Sequence, residues 1–531
     1  MAQAPSWEWV ANGRLTGTPV FGGITTYGLG VDNGGNVYFG GSVADQSVVG
    51  PTTLNSAGGS DIFLAKTNSA GAIQWAKSYG AANADQIIDM VTDSAGNLYA
   101  QIYFGSPSFN LDGQMVTSLI FGVCIAKFDA NGTCTIARTP QNIAISVGGL
   151  AYSPLGFMAA ANLTVLSKVN MNCDTIWTRT VPTGLGAQAL YYDVTVDNAG
   201  DIIACGTFGG SVTFGAFTLT TPNTSDLDNF VVKYDTNGTV LWAKQFGVRA
   251  ITDEYAYSVT TDEGGHVYVT GNYRSRMGIE SDTLTNSGSL PTMYLVKYSP
   301  TGNYEWSLNG TSTNQNFGRQ VVCDPNNNLW LAVNPSGSFN FAGQDHIPFT
   351  SSGTMLVSID TSGTFRARLK TDGLGLSDPK RLVFNRSGSA MYVGGYHIAS
   401  NPTVVSFGST TLNASGCFVA KGIPGVTTDV DNDDYTSIPS SFALRQNYPN
   451  PFNPTTTIEF SLAERAMVTI EIYNVLGQRV RTLVNETKSA GSYRIEWMGT
   501  DESGNPVSTG VYLYRFQAGE IVQTKKMLLT K

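Results

Sequence analysis

Two aspartates occupy the same place in an internal repeat and are the first candidates for chemistry. Asp89 and Asp193 each lie four residues before a turn of the type Asp-x-x-Gly. Two carboxylates held a few ångströms apart can cleave a glycosidic bond, one as the acid and the other as the base or nucleophile. The same position in the other five repeats holds Gly28, Gly149, Ser258, Gln320 and Arg381. This polar column is therefore the first place to look for a site.

The position that follows the polar column is apolar in every repeat. This apolar column is expected to pack in the core, whereas the residue type of the polar column varies. The apolar residues are Leu29, Met90, Leu150, Val194, Val259, Val321 and Leu382. Around the axis of a ring, the polar column could surround a channel mouth and hold a ligand or an ion. The alternative is a water-filled channel whose polar groups satisfy one another. Just before the inner strand, Asp85, Asp253, Glu254 and Tyr255 are predicted to lie on the same rim.

The turns that place these columns recur with a nearly constant period. Clear copies start at Asp32, Asp93, Asp197 and Asp262, and degenerate ones at Ser153, Asp324 and Asn385; successive starts lie 61, 60, 44, 65, 62 and 61 residues apart. A period of this length fits one four-stranded antiparallel sheet, the blade of a β-propeller. The sequence therefore predicts an all-β protein with a seven-bladed β-propeller, whose third blade is shortened between its second and third strands.

One repeat gives the predicted strands. Alternation predicts an inner strand over 256–262, a second over 266–273, a third over 293–298 and an outermost one over 304–308, with one long loop between the second and third. The third strands carry a recurring Lys, and the outer strands carry Trp75, Trp177, Trp242 and Trp306. The Trp stripe is interpreted as packing between blades rather than as a platform for sugars. The Lys stems are expected to cover apolar surface, with the amine reaching a turn carboxylate or solvent.

The two ends of the repeat region are complementary. The seventh blade stops after Lys421 without an outer strand, and residues 6–10 read as an outer strand without a blade. Pairing them closes the ring and removes two open sheet edges. The predicted propeller thus covers residues 1–425, with residues 6–10 as its closing strand. In repeat, period and Trp pattern it resembles the bacterial seven-bladed propeller-repeat family.

Composition excludes several classes of function. The net charge is -9 and the pI about 4.9, which argues against a nucleic-acid partner. No apolar run reaches the ~18 residues that would form a transmembrane segment. Residues 1–4 look like the end of a secretory cleavage site, which suggests a mature chain. The sequence holds no Gly-x-Ser-x-Gly, no His-Glu-x-x-His and no phosphate loop, so triad chemistry is disfavoured and no cofactor is predicted.

The six cysteines do not form a convincing disulfide framework. Pairing about the turn at 129–132 places Cys134 opposite Lys127, too far from Cys124 for a bond. The other four lie in or beside strands and are interpreted as buried, inert thiols.

An acidic segment separates the propeller from the tail and is predicted to be a linker over residues 426–437. Asp429, Asp431 and Asp433 have the spacing that opens a calcium loop, so a calcium site is the alternative to a solvated linker. Position six of such a loop is Asp434 rather than Gly, and position twelve is Ser440 rather than Glu. The linker interpretation is therefore favoured.

Residues 438–531 are predicted to form a small β-sandwich. A proline-rich segment from Asn447 to Pro454 precedes alternating strands near 457–460, 468–473, 493–497 and 510–516, and a basic and apolar end follows at 525–529. These motifs, in this order, resemble the C-terminal sorting domain of type IX secretion substrates, an immunoglobulin-like family. A plain accessory sandwich is the alternative.

That resemblance implies export. Proteins with such tails leave a Gram-negative cell through the type IX secretion machinery and are released or attached to the outer-membrane surface. The recognised surface is then expected at Gly510, Tyr512, Tyr514, Lys525, Lys526, Leu528 and Leu529. The leading hypothesis for function is a secreted or surface-displayed binding or scaffold protein for a glycan or a protein. The alternatives are a secreted glycan-active hydrolase or lyase and a structural component of an extracellular layer or fibre.

Overall fold

The computed structural model describes residues 5–15, 24–119, 121–141, 148–181, 188–222, 227–247, 254–280, 282–286, 290–342, 344–349, 351–399, 404–425, 443–444, 447, 450–462, 466–488, 491–519 and 521–530. The chain divides into two compact units, Met1–Val430 and Asp431–Lys531. Each unit is built from antiparallel strands, and none of the described residues forms a helix long and apolar enough to cross a membrane.

The first unit contains seven four-stranded antiparallel blades, which confirms the predicted all-β, seven-bladed architecture. In six blades the strands follow the order of the chain, and in the seventh the N-terminal strand is the fourth. The innermost strands are Ile24–Val31, Asp85–Thr92, Gly148–Ser153, Gln188–Val196, Tyr255–Thr261, Asn316–Cys323 and Leu376–Phe384. The second strands are Val37–Val43, Leu98–Phe104, Phe157–Asn162, Ile202–Gly209, Val267–Tyr273, Leu329–Pro335 and Met391–Ile398.

The outer half of each blade completes the sheet. The third strands are Asp61–Thr67, Gly122–Phe128, Val165–Asn170, Asp228–Tyr234, Thr292–Tyr298, Met355–Ile359 and Gly416–Ile423. The outermost strands of blades one to six are Ile73–Tyr79, Cys134–Gln141, Thr175–Thr180, Val240–Phe246, Tyr304–Asn309 and Phe365–Lys370. Ser6–Leu15 takes this place in blade seven.

The blades are arranged as a closed ring. Each innermost strand contacts the innermost strand of the next blade, and Ile24–Val31 contacts Leu376–Phe384, so blade one meets blade seven. The apolar core lies between neighbouring sheets. Ile203 and Val231 of blade four, for example, pack in one cluster with Val259 and Val296 of blade five. Burial of both faces of each sheet explains why the strands read as nearly continuous apolar runs.

The repeated turn has a local cause. The Asp32 carboxylate accepts the backbone N–H groups of Gly34 and Asn36 at 2.9 and 3.0 Å, and Gly35 has a φ of 74°. An aspartate side chain that bonds its own turn, followed by a glycine with positive φ, fixes a tight connection. The Asp-x-x-Gly signature is therefore a turn signal.

The prediction of a long loop between the second and third strands is wrong. In six blades it holds a short hairpin, and blade three lacks one because Phe157–Asn162 and Val165–Asn170 are nearly continuous. The hairpins are Gln46–Val49 with Thr52–Asn55, Ser108–Leu111 with Gln114–Thr117, Ser211–Phe214 with Phe217–Thr220, Arg276–Ile279 with Asp282–Thr285, Gly337–Phe341 with Gln344–Phe349, and Val405–Phe407 with Thr410–Leu412. Two-residue strands at Thr311–Ser312 and Asp372–Gly373 pair with two of these hairpins.

The tryptophans of the outer strands join neighbouring blades. The indole N–H groups of Trp75, Trp177 and Trp242 donate to turn carbonyls of the next blade at 3.1 to 3.3 Å. On the third strand of blade four, the buried Lys233 ammonium contacts the turn carboxylates of Asp197 and Asp201 in its own blade. The tryptophans therefore stabilise the ring, whereas Lys233 fixes a turn within one blade.

The N-terminal strand makes the same contacts as the other outer strands. Ser6–Leu15 pairs antiparallel with Gly416–Ile423, with a bulge between Trp7 and Trp9. The Trp9 indole donates to the carbonyl of Ser69 in blade one at 3.1 Å. Lys421 and Glu8 form an ion pair of 2.7 Å across the seam. Blade seven is therefore assembled from both ends of the first unit.

All six cysteines are free. The predicted partner of Cys134 is wrong by one residue: it lies opposite Phe128, because a bulge between Lys127 and Phe128 shifts the register.

The second unit consists of two sheets around one core. Ala443–Leu444, Thr456–Leu462 and Gly491–Trp497 form the first sheet, and Arg479–Lys488, Ala466–Asn474, Gly510–Ala518 and Ile521–Leu529 form the second, in that order. Ile458 and Phe460 of the first sheet pack with Ile470, Tyr514 and Phe516 of the second. The unit is a β-sandwich, as predicted.

Candidate functional site

The polar column lies beside a β-bulge in every blade that carries a side chain there. The strand register shifts between Ile87 and Asp89, and at the equivalent step of blades one, four, five, six and seven. In blade three the first two strands pair without a register shift. A bulge adds one unpaired residue and turns its side chain to a new direction. Each bulge therefore separates the polar column from the residue before it.

Four side chains of the column bind the backbone of the following blade. Asp89 accepts the N–H of Leu150 at 2.9 Å, and Asp193 accepts that of Val259 at 3.1 Å. Ser258 accepts the N–H of Val321, and Gln320 accepts that of Leu382. In each pair the donor is the apolar residue next to the column. The polar column therefore connects the innermost strands around the ring.

Arg381 extends this connection across the axis. Its guanidinium lies 2.7 Å from the Asp89 carboxylate and 3.9 Å from that of Asp193. Burial raises the pKa of Asp89 to about 6, although the charge of Arg381 acts in the opposite direction. Burial also raises the pKa of Asp193. One arginine thus holds the two aspartates that the sequence singled out.

A cavity of about 430 Å³ extends from this ion pair toward the Asp-x-x-Gly turns. Its walls include Met90, Leu150, Val259 and Leu382 of the apolar column. Asp89, Asp193, Gln320 and Arg381 also line it. The turn side of the channel is therefore a mainly apolar pocket with a charged cluster.

The other mouth of the channel is aromatic and basic. The bulge residues are Tyr27, Ile88, Tyr192, Tyr257, Arg319 and Lys380, and those other than Ile88 are half-buried. Tyr255 stacks on Tyr257 with ring centroids 5.5 Å apart, and Tyr192 meets both rings edge to face. We call Tyr27, Tyr192, Tyr255, Tyr257, Arg319, Asp378 and Lys380 the mouth site.

Two cations of the mouth site share one carboxylate. Arg319 donates through Nε and Nη2 to Asp378 at 2.9 and 2.8 Å. Lys380 donates to the same carboxylate at 2.9 Å. Asp378 is buried, whereas the side chains of Arg319 and Lys380 are 23% and 24% exposed. Burial lowers the pKa of Lys380, opposed by Asp378 and supported by the charge of Arg319.

The predicted rim residues do not gather at one place. Asp85 is fully buried and accepts the backbone N–H groups of Ala81 and Gly105 at 2.9 Å each. Glu254 is fully buried as well, and Asp253 lies outside the described residues. Tyr255 alone of the four belongs to the mouth site.

The expected recognition residues lie on the last hairpin of the second unit. Tyr512, Tyr514 and Leu529 are buried, while Lys526 and Leu528 are exposed and Lys525 is half-buried. Gly510 starts one strand of the hairpin and pairs with Leu529. Part of the predicted recognition surface is thus buried in the core. Its accessible part consists of the outward-facing side chains of the edge strand.

The predicted calcium ligands Asp429, Asp431 and Asp433 lie outside the described residues. Within the described part of the chain, no three His, Cys, Asp or Glu side chains are grouped so that they could hold a metal ion.

Together, the ring and its sandwich define an all-β protein in which a seven-bladed propeller precedes an immunoglobulin-like unit. Residues 450–520 match the family model of the FlgD Ig-like domain. Over 234 residues the chain is 23% identical to an uncharacterized WD repeat-containing protein, L264, of Acanthamoeba polyphaga mimivirus; the match covers 42% of this chain and 16% of that protein.

Two solved structures are remotely similar. The WD40 domain of Pan2 from Neurospora crassa is 8% identical, and the alignment covers 80% of this chain and 97% of that domain with a TM-score of 0.42. PorZ, a bacterial surface component of the type-IX secretion system of Porphyromonas gingivalis, is 12% identical over 97% of this chain and 76% of PorZ, with a TM-score of 0.22.

Five residues of the mouth site that the sequence did not single out have a common position. Tyr27, Tyr192, Tyr257, Arg319 and Lys380 each lie five residues before a turn start. In a regular strand that position shares a face with the apolar column, so a Tyr there is interpreted as core. Arg319 and Lys380 at an apparent core position were the signal that could have found the site.

Proposed function

We propose that this protein is a binding module that acts outside the cell and holds its ligand, a glycan, at the mouth site. The observation that carries this proposal is the convergence of half-buried tyrosines and two cations from consecutive innermost strands on one end of the channel. A concave surface of aromatic faces with a few polar groups is the usual form of a small-ligand site.

The alternative hydrolase or lyase is less well supported by the axial carboxylates. Asp89 accepts the backbone N–H groups of Met90 and Leu150 and pairs with Arg381. Asp193 accepts the N–H of Val259 and lies near the same guanidinium. A glycosidase needs one carboxyl to give a proton and another to attack or activate water. Because the carboxylates of Asp89 and Asp193 already bind backbone N–H groups and Arg381, a structural role is favoured for them.

For export, we propose that the second unit is a sorting domain recognised by the type IX secretion machinery. The resemblance of residues 438–531 to such domains and the immunoglobulin-like sandwich support this assignment. The proposed location is therefore outside a Gram-negative cell, either released or attached to the outer-membrane surface.

The test is a glycan array probed with the full chain, beside a screen for polysaccharide degradation. Tyr257→Ala removes the ring that contacts both Tyr192 and Tyr255 and is expected to weaken binding at least tenfold. Tyr152→Ala, which changes a half-buried tyrosine near the turn side of the ring, is the matched control and keeps wild-type binding. Degradation without lasting binding supports the enzyme. No signal in either assay supports the structural component of a layer or fibre.

A further inference from the structure

The mouth site carries more positive than negative charge. Arg319 and Lys380 both donate to one oxygen of Asp378, which holds the two cationic groups side by side. The Asp378 carboxylate balances one of them. One positive charge is therefore unmatched within the site, in a chain whose net charge is -9.

Both cations keep donors that the site does not use. Arg319 reaches Asp378 through Nε and Nη2, and within the described ranges Nη1 has no recorded acceptor. Lys380 has three N–H donors and uses one of them on Asp378. These side chains are about a quarter exposed, so a ligand can reach the remaining donors.

The aromatic part of the site lies next to these donors. The Arg319 guanidinium lies over the ring of Phe317 at 4.6 Å, and the Lys380 ammonium lies 5.3 Å from the ring centroid of Tyr396. Tyr257 and Arg319 are the bulge residues of neighbouring innermost strands, Tyr255–Thr261 and Asn316–Cys323, which contact each other. Rings and donors thus form one continuous surface from blade four to blade seven.

Building on the proposed function, we infer that the mouth site selects glycans that carry carboxylate groups. The carboxylate of an acidic sugar would accept hydrogen bonds from Arg319 Nη1 and Lys380 Nζ, and the sugar ring would pack on Tyr257. Charge-assisted hydrogen bonds of this kind are stronger than neutral ones. A glycan fits better than a folded protein, because a stable protein interface uses about 20 to 30 residues on each side.

The experiment measures binding of the full chain to tetramers of galacturonate, mannuronate and guluronate, each beside its fully methyl-esterified form. Esterification removes the charge and keeps the sugar skeleton. We expect at least one acid to bind about tenfold or more tightly than its ester, since charge-assisted hydrogen bonds are stronger than those to a neutral ester. Lys380→Gln leaves the Arg319–Asp378 pair in place and should remove most of this preference, measured as the ratio of acid to ester affinity of the same variant.

Arg366→Gln is the matched control, because Arg366 also pairs with a single aspartate, Asp360, but lies on an outer strand. A second readout needs no variant: binding of the preferred acid should weaken between 50 and 500 mM salt, and binding of the ester should not. Acids and esters bound equally, or array binding restricted to neutral glycans, would overturn the charge selection and leave the proposed function standing. If no glycan of either kind binds, both proposals fail.

Discussion

Arg381 of blade seven pairs with Asp89 of blade two at 2.7 Å, although blade one lies between them. In the polar column the position between Arg381 and Asp89 belongs to Gly28 of blade one, which has no side chain. A Cβ at Gly28 would lie 2.6 Å from Met90, so the innermost strands of blades one and two approach closely here. Gly28 therefore allows the innermost strands of blades one and two to pack closely at the axis.

Arg381→Met should destabilise the ring. It leaves Asp89 and Asp193 buried without their cation, which typically costs roughly 3 to 5 kcal/mol at neutral pH. The loss should shrink as the pH falls from 7 to 4, because burial raises the pKa of both carboxyls and so favours their neutral form. Urea unfolding of the full chain at pH 7 and pH 4 measures both. Arg366→Gln, which breaks a more exposed pair, should cost less than about 1 kcal/mol. Equal stability of Arg381→Met and wild type at pH 7 would contradict the assignment.

The stability of the ring should fall between pH 4 and pH 6. Burial raises the pKa of Asp89 to about 6, above the value of about 3.9 expected for an unfolded chain. In this window the native state binds more protons than the unfolded state, so the free energy of unfolding decreases as pH rises. Asp89→Asn should remove a contribution on the order of 2 to 3 kcal/mol.

Asp85 has its pKa raised to about 6 by burial and remains in that variant, so some slope persists. Unfolding curves at pH 4, 5, 6 and 7 give the comparison. A pH dependence identical to wild type in Asp89→Asn is the result that contradicts the prediction.

Trp9→Ala should cost as much as Trp75→Ala. Both indoles donate to a turn carbonyl of the next blade, at 3.1 and 3.3 Å, and both are half-buried. Each substitution is expected to lower the free energy of unfolding by about 1 to 3 kcal/mol. Because Trp9 belongs to the closing strand, its loss should also expose the last sheet edge and cause association, visible by size-exclusion chromatography. A neutral Trp9→Ala would argue that the strand does not close the ring in solution.

The cysteines should not react in the native protein. Burial raises the pKa of Cys134 and Cys173 to about 12, and all six thiols are free. The thiolate is the reactive form, so labelling by a disulfide reagent at pH 8 should be negligible until denaturant is added. Six thiols should then titrate without any reductant. A count of four would reveal a disulfide that the structure lacks.

Export should depend on the outer row of the last hairpin. Lys526→Glu combined with Leu528→Ala changes two exposed side chains and should leave the sandwich core intact. Expressed with a secretion signal in a bacterium that has a type IX system, the double variant is expected to remain in the periplasm. Met467→Ala, an exposed residue on the same sheet, is the control and should be exported normally. Normal export of the double variant would remove these residues from the recognised surface.

Much of the ring followed from local signals. Aspartates that bond their own turns and glycines with positive φ mark the ends of strands, and tryptophans at a fixed distance from a turn mark the outer strands. These features act over a few residues, so one sequence is enough to find them. The hairpins between second and third strands were missed because their apolar residues alternate over only four positions.

The mouth site could not be derived in this way. Its side chains are placed by bulges, and a bulge between Ala256 and Ser258 reverses the direction that simple alternation assigns to Tyr257. Bulges depend on how two strands pair, which the sequence of one strand does not record. The partners of Arg381 were equally hidden, because they lie in blades two and four.

The seam in blade seven has a consequence for the order of folding. Residues 6–12 pair only with the strand at 416–423, whereas residues 13–15 pair with residues 47–49, so most of the earliest strand must wait for nearly the whole ring to be synthesised. Joining segments so distant along the chain is slow, because a large loss of chain entropy precedes the contact that offsets it. A partly emerged ring keeps unpaired strand edges at both ends. We therefore expect chaperones to bind the incomplete chain until its last blade has been synthesised.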